Sequence, residues 1–283
     1  MVNQQIAFIG PGVMAEGILS ALIREQVTAP ANIRIAGPRP DRGIEMQQKY
    51  GIEYFQENSQ AAQTADVVVL SVKPQRVEKV MAGLKGHLKQ DALILSIVAG
   101  ASLAKLMHGL GHSRVVRSMP NTPAQIGMGI TVWTAAADVS EEQLEISRQI
   151  LSAMGDQVFV EDENYLDMAT ALSGTGPAYV FLFMEALVDA GVHMGFPRRI
   201  SEQLVIQTVR GSVEYYLQRN DPVHLTKLRN DVTSPGGTTA AALYFLEKAG
   251  FRTALSRAVW AAYERSRELG RGAKSHSPEE TSN

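Results

Sequence analysis

Ile6-Ala7-Phe8-Ile9-Gly10-Pro11-Gly12-Val13-Met14-Ala15 is the stretch on which the fold turns. Four apolar residues ending at a glycine read as a short, buried parallel strand. Val13–Arg24 then carries apolar residues at Val13, Ile18, Leu19, Leu22 and Ile23, one face of a helix. Gly10 permits the tight turn between the two. Gly12 lets a pyrophosphate approach the backbone, where a helix N-terminus offers free N–H groups and the positive end of its dipole. Ala15 holds the third place of this dinucleotide fingerprint. The motif is short, and its weight comes from the strand before it and the helix after it. The alternative is a strand-to-helix turn that binds nothing.

Outward from this stretch the pattern repeats. Ile33–Ala36 and residues 67–72, 93–98 and 114–117 read as further strands, with helical segments such as Val77–Leu84 and 101–110 between them. Strands and helices alternating at this spacing build right-handed crossovers and a mainly parallel sheet. Residues 130–133 and 157–160 add later strands, and Ser140-Glu141-Glu142-Gln143 reads as a capping box opening a helix to about Met154. From about Tyr165 the strand signals stop. Residues 178–194, 201–218, 239–249 and 253–269 are long helical patterns, and Asp221-Pro222 reads as a helix cap with Pro at the first helical position. The expected fold class is α/β: an N-terminal Rossmann-type, mainly parallel sheet domain at 1–162, then an all-α C-terminal domain at 163–272 and a loose tail at 273–283.

The 283 residues suit two domains at about 150 residues each. With 45% hydrophobic residues and a net charge of −2, the chain is neither disordered nor biased toward nucleic acid or acidic lipid. No run of about 18 apolar residues suggests a membrane span. No basic segment precedes the first strand, so no signal peptide is expected. Cys is absent, which excludes disulfides, thiolate nucleophiles and Cys-ligated zinc and fits a cytoplasmic enzyme. The six His show no metal-ligand spacing, so no metal is expected.

The second strand ends Ile35-Ala36-Gly37-Pro38-Arg39-Pro40-Asp41-Arg42. An NAD site usually places a carboxylate there for the ribose 2′-hydroxyl. Here the end is small and neutral, and Arg39 can pair with a 2′-phosphate, which favours NADPH over NADH. The alternatives are that both arginines are solvated, or that Asp41 faces the ribose. Ser71-Val72-Lys73-Pro74 and Ile97-Val98-Ala99 follow two further strands and so belong over the same crevice. Lys73 either contacts a ligand or caps its strand at the surface.

Two glycine loops lie in the helical half. Ser234-Pro235-Gly236-Gly237-Thr238-Thr239 sits between two helices and offers backbone N–H groups, hydroxyls and a helix dipole, which together suit a carboxylate. An ordinary capped turn is the alternative. Ser173-Gly174-Thr175-Gly176-Pro177 either binds or simply allows close helix packing.

The chain resembles the pyrroline-5-carboxylate reductase family from Ile6 to about Leu269. The most specific piece runs from Leu228 to Gly250 and holds Leu-Arg-Asn-Asp-Val-Thr-Ser-Pro-Gly-Gly-Thr-Thr. Val72-Lys73-Pro74, Met119-Pro120-Asn121-Thr122-Pro123 and Leu172 to Tyr179 are also similar to family segments. The resemblance implies NAD(P)H-dependent reduction of a cyclic imine to L-proline. It implies substrate binding by Ser234, Gly236, Gly237, Thr238, Thr239 and Glu163, with Thr239 as the catalytic residue nearest the ring nitrogen. For the cofactor it implies Asn58, Ser71, Val72, Lys73, Pro74, Ile97, Val98 and Ala99, beside Gly10, Pro11, Gly12, Val13, Met14 and Arg39 from the residues themselves. Asp231 stands where relatives often have Asn. A homodimer through the C-terminal helices, assembled further into a decamer, is also implied. Two rival readings are an imine or 3-hydroxy-acid oxidoreductase on the same plan, and a non-catalytic NADP-binding protein.

Overall fold

A computed structural model describes residues 2–219 and 221–270. Eight strands form one sheet: β1 (Ile6–Ile9), β2 (Ile33–Ala36), β3 (Glu53–Phe55), β4 (Val67–Leu70), β5 (Leu93–Ser96), β6 (Val115–Met119), β7 (Gly129–Ala135) and β8 (Gly155–Phe159). Their order is β3-β2-β1-β4-β5-β6-β7-β8. Every neighbouring pair is parallel except β6 with β7.

All four residues of β1, β4 and β5 are buried, because both faces of the sheet are covered. Ile6 and Phe8 belong to one core cluster, Ala7 and Ile9 to the other. The covering helices are α1 (Val13–Arg24), α2 (Pro40–Tyr50), α3 (Asn58–Ala62), α4 (Val77–Leu84), α5 (Leu103–Leu110) and α6 (Glu141–Ser152). The Ser140 capping box opens α6 as its sequence implies. After β1 the chain adds β2 and β3 on one side, then crosses to β4 on the other. The crevice at this reversal is where ligands bind in such sheets, and Gly10 turns the chain there.

The strands expected at 67–72 and 93–98 end two residues early, at Leu70 and Ser96. Ser71-Val72 and Ile97-Val98 are apolar enough to read as strand, but they have already left the ladder for the loops at its carboxyl edge. β3 gives no clear apolar signal, since it is three residues long and none of them is buried.

The remaining helices are α7 (Asn164–Ala169), α8 (Gly176–His193), α9 (Arg198–Leu217), α10 (Leu225–Asp231), α11 (Thr238–Lys248) and α12 (Phe251–Gly270). The segment read as a second glycine loop is largely helical: Thr170–Gly174 is a π-helical turn. The Ser173 and Thr175 hydroxyls donate to carbonyls four and five residues back. Asp221-Pro222 does not start a helix. α10 begins at Leu225, and the His224 ring accepts from the Thr226 amide at 3.2 Å, so the cap falls to His224.

Two compact units result, one of residues 2–175 with 261–270 and the other of residues 176–260. Leu166 of α7 is fully buried within the first. The tail expected at 273–283 lies outside the described residues. The second unit buries little of its own apolar surface. Of 31 exposed large hydrophobics among the described residues, 22 fall in 176–260, where Val188 and Val205 are the buried hydrophobics. Residues Asn164–His193 are, by length and composition, apolar enough to cross a membrane. The sequence showed no such run because Gly174, Gly176, Pro177, Glu185 and Asp189 interrupt it.

Candidate active site

Gly10 has φ +107°, where a side chain is strained. A Cβ there would lie 2.8 Å from Val72 Cγ1 and 2.9 Å from the Ser71 carbonyl oxygen. The Ser71 hydroxyl reaches the carbonyl oxygens of Ile9 and Gly10 at 3.0 and 2.9 Å, so it braces the turn from the neighbouring strand end. Gly12 is the N-cap of α1, with no side chain capping the helix. The first-turn amides of Val13, Met14 and Ala15 therefore have no partner within the helix. Pro11 and Ala15 are buried beneath the turn, and Val13 is 63% exposed at its mouth.

Asn58, at the start of α3, holds a buried side-chain oxygen with no hydrogen-bond partner among the described residues. Free amides, a glycine without room for a Cβ and an unmet acceptor are what a dinucleotide needs. The residues present fit that cofactor.

Of the two arginines after β2, Arg42 is committed to Glu16 and Glu45. Arg39, the exposed N-cap residue of α2, makes no ion pair among the described residues. Asp41 is exposed in the first turn of α2. Lys73 is exposed at the N-cap of a 3₁₀ turn, also without a partner among the described residues. Val98 is 2% exposed, so its backbone is what can reach a ligand, while Ile97 and Ala99 are half-buried.

Glu16 ties α1 to α2. Burial pushes its carboxyl up, but hydrogen bonds from Lys49, Tyr50 and Arg42 outweigh this and bring it from the ordinary 4.5 to about 2. A carboxylate depressed on folding stabilises above its unfolded value, and that stability drains away as pH falls through the folded one. Glu16→Gln is expected to cost on the order of 3 kcal/mol at pH 7, and the difference from wild type should shrink between pH 4.5 and about 2. Urea unfolding at pH 7 and pH 3 checks this. A difference independent of pH would contradict it.

In the second unit, Gly236 takes φ +71°. A Cβ on Gly237 would meet Ser234 Oγ at 2.5 Å, so glycine lets that hydroxyl fold in over the turn. The Gly237 amide donates to the Ser234 carbonyl at 3.1 Å. Gly237 caps α11 without a side chain, which leaves the amides of Thr238, Thr239 and Ala240 unpaired within the helix. Three free amides, the hydroxyls of Ser234, Thr238 and Thr239 and the dipole of α11 are together groups that can cradle an anion. Asp231 pairs with Lys227.

Glu163 belongs to the first unit. Its Oε1 accepts from the Leu103 amide at 2.7 Å and from Arg117 at 2.8 Å. Sequence reasoning missed Arg117, Asp167 and Ser266, which share this network. No motif links positions so far apart in the chain.

A mainly parallel sheet with a glycine loop at its strand-order reversal, free amides behind it and no acidic residue at the end of β2 defines an NAD(P)-binding protein of the Rossmann class. The family model "NADP oxidoreductase coenzyme F420-dependent" matches residues 5–100, and "Pyrroline-5-carboxylate reductase dimerisation" matches residues 163–269. Curated pyrroline-5-carboxylate reductases are similar over nearly their whole length. That of Synechocystis sp. is 43% identical, covering 94% of this chain and 98% of the relative; that of Pseudomonas aeruginosa is 42% identical, covering 95% and 98%. A crystal structure of the Plasmodium falciparum pyrroline carboxylate reductase with NADP bound superposes with a TM-score of 0.87 at 33% identity, covering 95% of this chain and 99% of that one. The chain belongs to the pyrroline-5-carboxylate reductase family.

Proposed function

We infer that this chain reduces 1-pyrroline-5-carboxylate to L-proline with NADPH, the last step of proline synthesis. The observation that carries the reading is kinship with pyrroline-5-carboxylate reductases at 35–43% identity along almost the entire chain. The anion cradle at Ser234 to Thr239 supports it.

Bound nicotinamide supplies the hydride. The glycine loop holds the pyrophosphate on the amides of α1. Arg39, exposed and without an ion pair among the described residues, takes the 2′-phosphate and favours NADPH over NADH. The Ile97–Ala99 loop, with Ser71 to Pro74, shapes the nicotinamide end. Ser234, Gly237 and the first amides of α11 hold the substrate carboxylate, and the Thr239 hydroxyl donates to the ring nitrogen. The loop from Ser234 to Thr239 holds no titratable side chain, whereas hydroxy-acid oxidation needs a general base. An imine is already electrophilic, so orientation supplies much of the acceleration.

The helical half, matched by the dimerisation family model over residues 163–269, forms a homodimer, which covers the apolar surface of residues 176–260 and of α8 in particular. α8 is mostly apolar, with Glu185 and Asp189 as its acidic residues, and a large apolar helix surface left uncovered belongs inside an assembly. Dimers assemble further into a decamer, and the enzyme works in the cytoplasm.

The test is NADPH oxidation with 1-pyrroline-5-carboxylate, with proline measured as product and NADH run in parallel. Thr239→Ala is expected to lower kcat roughly ten- to hundred-fold, the scale of a lost hydrogen bond to a charged group, while NADPH affinity stays near wild type. An equal loss of cofactor affinity would remove Thr239 from the substrate side. Tight NADPH binding without turnover on any cyclic imine would favour the non-catalytic reading.

A further inference from the structure

Arg117 stands in β6 directly opposite Ser96, the last residue of β5. Its side chain is 5% exposed. A buried guanidinium is costly unless charge and hydrogen bonds compensate it. Here Nη1 donates to Glu163 Oε1 at 2.8 Å and Nη2 to Asp167 Oδ1 at 2.9 Å.

Glu163 also grips the far end of the segment that leaves β5, and Asp167 holds α12, which lies against that segment. Glu163 Oε1 accepts from the amide of Leu103, the first residue of α5, at 2.7 Å. Asp167 Oδ1 accepts from the Ser266 hydroxyl at 2.8 Å. Ser266 lies in the last part of α12, which packs against Gly100. A Cβ on Gly100, at φ +72°, would meet Gly270 N at 3.0 Å and the Ser266 carbonyl oxygen at 3.1 Å. At the near end, Ser96 Oγ accepts from the Val98 amide at 3.2 Å, and Ser118 donates to the Ser96 carbonyl at 3.0 Å. The 97–102 segment is thus held at its start by β6, in its middle by α12 and at its end by Glu163. The Arg117 guanidinium joins the last two holds.

We propose that Arg117 is a positioning residue for the nicotinamide end of the cofactor site, fixing the 97–102 loop through Glu163, Asp167 and Ser266. The proposal rests on the reading of Ile97, Val98 and Ala99 as cofactor contacts, and it gives Glu163 a role on the cofactor side. Arg117 touches none of those three residues by a hydrogen bond. Its effect passes through the two carboxylates.

The test separates the two halves of the cofactor in the full-length enzyme. NADPH affinity is read from nicotinamide fluorescence. The affinity of 2′,5′-ADP, which has the adenosine half and no nicotinamide, is read by calorimetry. Asp167→Ala removes the hold on α12 but leaves Arg117 its Glu163 partner, which protects folding. It is expected to weaken NADPH roughly ten-fold, the scale of a lost charged hydrogen bond, with 2′,5′-ADP unchanged within about two-fold. Arg117→Met should lose more, and Arg117→Lys, which keeps the charge but reaches only one carboxylate, should recover part of the loss. Equal weakening of both ligands would mean general loosening and overturn the proposal. So would unchanged NADPH affinity in Asp167→Ala. Failure of the wild-type enzyme to bind NADPH would overturn the cofactor reading itself, and it would be seen before any variant is made.

Discussion

Gly10→Ala is expected to lower NADPH affinity at least about 100-fold, or close to 3 kcal/mol. Two costs combine. The φ of +107° is one that alanine adopts only under strain, on the order of 1–3 kcal/mol. The new methyl would also sit 2.8 Å from Val72 Cγ1 and 2.9 Å from the Ser71 carbonyl oxygen. Neither neighbour is a flexible chain end, so the turn itself must move. Movement breaks the Ser71 hydrogen bonds to the carbonyls of Ile9 and Gly10 and displaces the free amides of α1. Fluorescence titration with NADPH reads the loss, and circular dichroism checks that the sheet persists. NADPH binding within a factor of about two of wild type would show that the turn does not set the cradle.

Phe181→Glu should convert the enzyme to smaller species or make it insoluble. Phe181 is 62% exposed on α8 in the single chain, with Leu182 and Phe183 exposed beside it. Burying a phenylalanine contributes about 1.5–3 kcal/mol, and a twofold interface counts each substitution twice. A glutamate there must also be desolvated without a partner. Light scattering after size exclusion measures the mass. A mass equal to wild type at micromolar protein would show that another face of the helical unit forms the dimer.

Much of this architecture is legible in the chain. The run from Ile6 to Ala15 announces strand, turn and helix because each local preference agrees with the next: β-forming residues, then glycines, then an apolar helical face. The Ser140 box announces α6 because both partners of its cap lie within one turn. Asp221-Pro222 misleads for the complementary reason. Its cap signal is local and real in type, but His224 sits where its ring reaches the Thr226 amide. β3 is silent because a three-residue strand with no buried residue has no apolar pattern to show.

The cradle on α11 is half legible. Gly236-Gly237-Thr238-Thr239 shows that a turn opens a helix, while the approach of Ser234 Oγ to Gly237 becomes visible in the folded turn. Arg39 and Arg42 look equivalent in the sequence. The tertiary structure separates them: Arg42 of α2 pairs with Glu16 of α1, while Arg39 makes no ion pair among the described residues.

By itself the sequence determined the class of fold, the dinucleotide loop and the family, since these depend on residues near one another along the chain. Only the tertiary structure decided which arginine is free and that Glu163 is tied to Arg117. It alone showed that Asp167 and Ser266, 99 positions apart, brace one loop. Short-range order follows from backbone geometry and apolar periodicity, which a linear pattern records. Partners for buried charges are set by which strands and helices come to lie side by side, and no local pattern records that.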